Sequence, residues 1–223
     1  EVSATGEVRP AAYLNYMEEV ATRASESIGF TYEWYVAHRG AWVVRKLILR
    51  HFHPAVVNDE LILTTWISEA RRVQAYREYD MRRADGQPIL RARHTWAYLN
   101  ADTLMPERLP AEFVGRYLPE GHAEPIELAL STPMPVTNAR TFVSERRVEY
   151  FDLDTNGHVN NAVYVQWVEQ ALVNALRAVG WPPDRWQTPD PAGQVVWQRI
   201  GRESEYFRAL RDDEPIRIAV RMA

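Results

Sequence analysis

Side chains that can carry out acid–base chemistry are concentrated in one stretch, residues 151–161. It places Asp154, Asn156 and His158 at alternate positions. A carboxylate can act as a base on water or attack a carbonyl directly, an imidazole can move a proton, and a carboxamide can bind a carbonyl oxygen. The same residue types suit a tight turn, because Asp and Asn bond nearby backbone amides and Gly157 admits positive φ. The stretch therefore predicts either an active-site loop or a helix-capping turn.

The elements around this stretch follow from hydrophobic periodicity and turn residues. Pro10 and Gly29 bracket a helix over residues 10–28, and Gly180 ends a second helix over 161–179. Asp85 and Gly86 predict a hairpin turn. Four prolines and little periodicity predict an extended linker over residues 119–140. The predicted strands are 42–49, 61–67, 73–81, 89–99, 146–153, 195–199, 204–207 and 215–222.

Composition excludes several classes of protein. The 223 residues include no cysteine, so disulfides, thiolate metal sites and a cysteine nucleophile are excluded, and the net charge of −4 gives no electrostatic case for binding nucleic acid. No apolar run is long enough to span a bilayer, so we expect no membrane span, and a cytoplasmic location. The chain opens at Glu1 without a methionine, so a targeting segment can lie outside it.

The two predicted helices belong to an internal repeat. An offset of 157 − 6 = 151 superposes Gly6 on Gly157 and Gly29 on Gly180 without a gap. The second helix is apolar over a wide stripe, which favours a helix wrapped by a curved sheet. The matched pairs include Val8 with Val159, Ala11 with Ala162, Tyr13 with Tyr164, Glu18 with Glu169 and Ala24 with Ala175.

With this repeat, the chain resembles the acyl-acyl-carrier-protein thioesterases, which are built from two fused hotdog folds. The resemblance is carried by Asp152–Asn161 with Tyr164, Trp167 and Glu169, and in the first repeat by the segments 18–20, 27–30, 45–47 and 100–103. It implies an α+β tandem (double) hotdog, each a long central helix wrapped by a curved antiparallel sheet. We expect an N-terminal hotdog at 1–118, a linker at 119–140 and a C-terminal hotdog at 141–223. Relative to that family both ends look trimmed.

The resemblance also implies the site. The family's catalytic Asp, Asn and His fall on Asp154, Asn156 and His158. A further family acid falls on Ala209, so Glu203 or Glu205 is expected to substitute for it, or the mechanism does without it.

In thioester hydrolysis, Asp154 would act as base or nucleophile. His158 would orient water or protonate the leaving thiolate, and Asn156 would position the carbonyl. The backbone N–H groups of Val159, Asn160 and Asn161, at the helix start, would hold the oxyanion. In the first repeat the corresponding positions carry Ser3, Thr5 and Glu7, which predicts one active site per chain.

The expected activity is hydrolysis of fatty acyl-acyl-carrier-protein to free fatty acid and holo carrier protein, with no metal or organic cofactor. Segments 45–47 and 58–60 also resemble single-hotdog acyl-CoA thioesterases, so acyl-CoA is the alternative substrate. Ala209 in place of the family acid motivates a third possibility, a non-hydrolytic acyl-thioester binding module. Monomer and homodimer are both open.

Three other candidate sites are weaker. His51 and His53 could share one strand face and bind a metal, but no third ligand is evident. Asp152 suits a turn better than catalysis. Glu169, whose twin is Glu18, suits a scaffold role.

Overall fold

A computed structural model of the protein describes residues 1–128, 139–155, 157–182 and 201–222. The chain divides into two compact units. The first unit is Glu1–Leu130 with Ile200–Phe207, and the second is Ser131–Arg199 with Arg208–Ala223. The sequence predicts a C-terminal hotdog over residues 141–223. The structure instead groups the strand at 201–205 with the first unit, because that strand hydrogen-bonds to the first sheet.

The first unit is built on helix α1 (Pro10–Ser27). Proline is tolerated at its first position because the N–H that proline lacks would have no intrahelical partner there. Gly29, at φ 90°, ends the helix in a conformation that side chains with a Cβ disfavour. The buried face of α1 is formed by Ala11, Ala12, Tyr13, Leu14, Met17 and Ala21. The predicted helix over 10–28 is therefore confirmed.

An antiparallel sheet packs against α1. Its strands are β1 (Gly40–His51), β2 (Leu61–Arg71), β3 (Gln74–Arg83), β4 (Pro88–Asn100) and β6 (Gly201–Glu205), in the order β2-β3-β4-β1-β6. The β3–β4 hairpin turns where the Asp-Gly pair predicted it, with Gly86 at φ 90°. Large apolar side chains of α1 and of the sheet are fully buried, including Met17, Leu47, Met81, Ile89 and Leu90.

Two short helices in this unit were not predicted, α2 (Tyr32–Ala37) and α3 (Ala111–Tyr117). Their six and seven residues are too few to show helical periodicity. They bring aromatic rings together instead: Phe30 stacks on Tyr117 at 5.8 Å between centroids and lies 5.2 Å from Phe113.

The second unit repeats the combination of one long helix and antiparallel strands. Helix α4 (Asn161–Ala178) contacts β5 (Arg140–Arg147) and β7 (Pro215–Met222), which pair with each other. The predicted helix over 161–179 and strand over 215–222 are confirmed. No helix in the described ranges is long and apolar enough to cross a bilayer.

Two predicted strands are corrected. The strand expected over 146–153 ends at Arg147, and a 3₁₀ turn at Tyr150–Asp152 follows, because Glu149 and Asp152 form a reciprocal capping box. The strand expected over 204–207 runs from 201 to 205. Residues 119–128 of the predicted linker contain no helix or strand, whereas its last residue, Arg140, already belongs to β5. The predicted strand 195–199 lies outside the described residues.

Candidate active site

The polar stretch before α4 is a tight turn closed by an isolated β-bridge between Leu153 and Val159. Asp154 N–H donates to His158 O at 2.8 Å, and Gly157 N–H donates to Asp154 O at 3.0 Å. Gly157 has φ 69°, a left-handed conformation that explains the glycine. The turn brings the backbones of Asp154 and His158 together. Asn156, the third predicted catalytic residue, lies outside the described residues.

The side chains of Asp154 and His158 are both half-buried. Asp154 Oδ1 accepts a long hydrogen bond, 3.4 Å, from His158 N–H. The carboxylate thus lies beside the backbone of His158. Two of the three predicted catalytic residues share one turn at a helix start, as the sequence predicted.

The amides at the start of α4 differ from the expected oxyanion site. Val159 N–H donates to Leu210 O at 3.0 Å and Asn160 N–H donates to Asp152 O at 3.0 Å. These two donors hold the fold together, so the expectation that all three amides receive an oxyanion is corrected. The N–H of Asn161 makes no hydrogen bond to any other described residue, and it remains the available donor of the three.

The helix start itself is capped by a side chain. Asn160 Oδ1 accepts from Ala162 N–H at 2.7 Å, which satisfies one of the first-turn amides. Asp152 acts as a turn residue, as expected: its carboxylate accepts from Glu149 N–H at 2.7 Å and lies 3.5 Å from Arg146 Nη2. The predicted helix-capping turn is therefore confirmed for Asn160 and Asp152.

Residues 208–211 pass directly beside this turn. Leu210 accepts from Val159 N–H and donates its own N–H to Tyr164 Oη at 3.2 Å. Burial raises the pKa of Tyr164, and the nearby Asp154 and Glu214 carboxylates raise it further. Ala209, where the resemblance places a family acid, is thus adjacent in sequence to a residue bonded to the motif.

Sequence reasoning missed one acid of the second unit, Glu214. Its carboxylate pairs with Arg208 at 2.6 Å and accepts from Arg211 N–H at 3.0 Å. The bond from Arg208 lowers the pKa of Glu214. It lies near the motif, because Arg211, whose N–H it accepts, directly follows Leu210, which bonds to Val159 and Tyr164. The sequence held no signal for it, because Glu214 follows two aspartates in a loop between strands.

The two acids proposed as substitutes lie on β6, in the first unit. Glu203 pairs with Lys46 at 2.5 Å, and Glu205 lies 3.8 Å from the same ammonium. The bond from Glu203 raises the pKa of Lys46. Both carboxylates thus have a cation partner, and their role in catalysis stays a prediction.

The possible metal pair, His51 and His53, gains no further ligand among the described residues. The ring of His51 packs 5.7 Å from that of Tyr13. Within the described ranges, no group of three His, Asp or Glu side chains is close enough to hold a metal ion.

Comparison with known proteins accounts for both repeats. The family model of the acyl-ACP thioesterase N-terminal domain matches residues 1–117, and that of the acyl-ACP thioesterase C-terminal domain matches residues 137–178. Among curated relatives, oleoyl-acyl carrier protein thioesterase 2, chloroplastic, of Arabidopsis thaliana is 24% identical over 176 residues, covering 71% of this chain and 47% of the relative. The chain spans about half the length of the curated relatives it matches.

Solved structures confirm the predicted hotdog architecture. A putative oleoyl thioesterase from Lactobacillus plantarum superposes with a TM-score of 0.77 at 20% identity, covering 97% of this chain and 78% of that one. The 12:0-ACP thioesterase from Umbellularia californica gives 0.74 at 19% identity, covering 97% and 76%. With a family model over more than half of its residues and this fold, the chain belongs to the acyl-ACP thioesterase family.

Proposed function

We propose that the chain hydrolyses fatty acyl thioesters carried on acyl carrier protein, releasing the free fatty acid and the holo carrier protein. One observation carries the proposal: the turn before α4 places Asp154 beside His158 at a helix start, in a chain of the acyl-ACP thioesterase family. The matching turn of the first repeat has the same backbone but carries Ser3 and Glu7 in their places.

In the proposed reaction, the Asp154 carboxylate takes a proton from water as the water oxygen attacks the thioester carbonyl. The tetrahedral intermediate then collapses, the C–S bond breaks, and protonated His158 gives its proton to the thiolate. The proton held by Asp154 then passes through solvent to His158, which restores both residues. Direct attack by Asp154 would instead form an anhydride that water hydrolyses. Asn156 would bind the carbonyl oxygen. In both routes negative charge develops on the carbonyl oxygen.

We assign the oxyanion to the Asn161 N–H. It is the one of the three predicted amides that no described residue uses, and in the first repeat its place is taken by Pro10, which has no N–H. The first repeat therefore lacks this donor entirely. A single oxyanion donor contributes about 3 kcal/mol to transition-state stabilisation.

Glu214 is a third candidate, beside Glu203 and Glu205, for the acid that substitutes for the family acid at Ala209. It shares a unit with Asp154 and acts on the same Tyr164 hydroxyl. The three Glu→Gln variants separate these candidates: the supporting acid is the one whose loss lowers kcat without lowering the melting temperature. If none of the three lowers kcat, the mechanism works without that acid.

The experiment that tests the function is thiol release from matched panels of acyl-acyl-carrier-protein and acyl-CoA. We expect turnover by wild type, with higher kcat/KM on the carrier protein, and none by Asp154→Ala. Higher kcat/KM on acyl-CoA would favour the alternative substrate. Binding of acyl chains without any thiol release would favour the binding-module alternative, and full activity of Asp154→Ala would refute the site.

A further inference from the structure

A cavity of about 240 Å³ lies in the first unit, between α1, α3 and the inner face of the sheet. Much of its wall is aromatic, with Phe30, Tyr35, Trp42, Trp96 and Phe113 among the lining residues. Burial raises the pKa of Tyr35 to about 12, so its hydroxyl stays neutral. Such a wall suits a hydrocarbon chain. Polar residues also line the cavity, and one of them, Arg77, is a cation.

Arg77 enters this wall from β3 and is only 5% exposed. Its Nη2 donates to Tyr117 Oη at 2.9 Å, and its guanidinium lies 5.1 Å from the centre of the Tyr117 ring. Its Nη1 is buried without a hydrogen-bond partner. Among the described residues no carboxylate lies within 4 Å of it. One terminal nitrogen of the guanidinium, Nη2, is therefore hydrogen-bonded, and the other, Nη1, is not.

Further buried polar groups surround Arg77. Both ring nitrogens of its β4 neighbour His94 lack partners, as do Tyr79 Oη and Trp96 Nε1. The Trp96 N–H lies near the Tyr79 hydroxyl without hydrogen-bonding geometry. Burial, helped by Arg77, lowers the pKa of His94 to about 3, so this imidazole is neutral. Among the unpartnered atoms of these four side chains, N–H donors outnumber acceptors.

Such a cluster is costly if nothing bonds to it. Leaving a buried donor unpaired costs about 1–3 kcal/mol, and native proteins almost always satisfy such groups with a partner or ordered water. An unsubstituted alkyl chain in the cavity would displace water and satisfy none of them. Glu18 and Glu26 also line the cavity, so acidic side chains outnumber the arginine in its wall, which disfavours a carboxylate as the ligand. A neutral acceptor oxygen fits best.

We propose that this cavity selects acyl chains that carry a hydroxyl or keto oxygen, which accepts a hydrogen bond from Arg77. This inference rests on the proposed function in that it takes the substrate to be a fatty acyl thioester. Arg77 would be a specificity-determining residue of the first unit. An acceptor bonded to a charged donor contributes more than a neutral pair, so the preference should be at least tenfold in Kd.

Binding of free fatty acids tests the inference without requiring thioester cleavage. The probes are dodecanoic acid and its hydroxy and oxo derivatives, substituted near the carboxyl group, at mid-chain or at the far end. Quenching of tryptophan fluorescence reports binding, because Trp42 and Trp96 line the cavity. We expect wild type to bind at least one oxygenated acid about tenfold more tightly than dodecanoic acid. If the oxo derivative binds as tightly as the hydroxy derivative or more tightly, the protein donates the hydrogen bond, because a keto oxygen can only accept one.

Two variants isolate Arg77. Arg77→Met should abolish the preference and tighten binding of dodecanoic acid, whereas Arg82→Met, on the same strand but outside the cavity wall, should leave both affinities unchanged. Thermal melting checks that each variant is folded. If Arg77→Met does not fold, Arg77→Gln is tested in its place. Wild-type affinities that are equal for plain and oxygenated acids overturn the inference, whether or not the chain hydrolyses thioesters.

Discussion

The two repeats share a backbone frame to the level of single hydrogen bonds. Helices α1 and α4 begin at residues 10 and 161 and end at residues 27 and 178, an offset of 161 − 10 = 151 at both ends. The turns before them match as well. Ser3 N–H to Glu7 O at 2.7 Å corresponds to Asp154 N–H to His158 O at 2.8 Å, and Gly6 has φ 79° where Gly157 has φ 69°.

The tyrosine on each helix makes the same kind of backbone hydrogen bond in both repeats. Tyr13 Oη accepts from Ala55 N–H at 3.0 Å, and Tyr164 Oη accepts from Leu210 N–H at 3.2 Å. In each repeat the carbonyl of the same residue, Ala55 or Leu210, accepts from the valine that precedes the helix. The first repeat, which carries Ser3 in place of Asp154, makes the same contacts. These hydrogen bonds therefore stabilise the fold and are not specific to the second turn. Under the proposed function, the chemistry would come from what differs between the repeats: the turn side chains and the Asn161 amide.

The largest expected effect comes from exchanging those side chains. Asp154→Ser with His158→Glu gives the second turn the residues of the first. We expect kcat/KM for acyl-acyl-carrier-protein to fall by at least about 10³-fold, since base and acid are both removed, while the melting temperature changes little. The control is Ser3→Ala with Glu7→Ala, which should leave turnover intact. Loss of activity in the control would mean that the first turn also takes part in the reaction.

Next in size is Asn161→Pro, which gives α4 the first residue of α1. Proline suits that position, so the helix should form, but the N–H is lost. We expect kcat to fall about 10²- to 10³-fold, the effect of removing one oxyanion donor. Asn161→Ala keeps the amide and should retain most of the activity. Equal activity of the proline and alanine variants would contradict the assignment.

The tyrosine pair gives a smaller effect, on stability. Tyr13→Phe leaves the fully buried Ala55 N–H without its acceptor and should lower the free energy of unfolding by about 1–3 kcal/mol. Tyr164→Phe should cost less, about 1 kcal/mol, because Tyr164 is only half-buried. Chemical denaturation measures both. A loss of kcat in Tyr164→Phe well beyond its loss of stability would place that hydroxyl in the reaction.

The smallest expected effect concerns the helix caps. Asn160→Ala removes the bond to Ala162 N–H and should cost about 1 kcal/mol. Arg9, at the matching position of α1, donates instead from its own Nε to Val2 O at 3.0 Å. Arg9→Ala should therefore cost less than Asn160→Ala in the same denaturation experiment. The reverse order would mean that the two helix starts are not stabilised as the hydrogen bonds indicate.

The sequence predicted the parts of this comparison that depend on local patterns. Gly29 and Gly180 marked both helix ends, and the 151-residue offset revealed the shared frame before any hydrogen bond was known. What could not be predicted were contacts between segments distant in the chain. Leu210 occupies the Val159 N–H, and β6 joins a sheet whose other strands all precede residue 101. Neither pairing leaves a periodic signal in the sequence.

The most direct test of the central claim, that hydrolysis takes place at the second turn, is single-turnover thiol release by Asp154→Asn. Asparagine keeps the shape of the side chain and an acceptor for the His158 N–H, but it can neither deprotonate water nor attack as a carboxylate. The account predicts that the variant binds acyl-acyl-carrier-protein with wild-type affinity and releases thiol at least about 10³-fold more slowly. Release at the wild-type rate would contradict it.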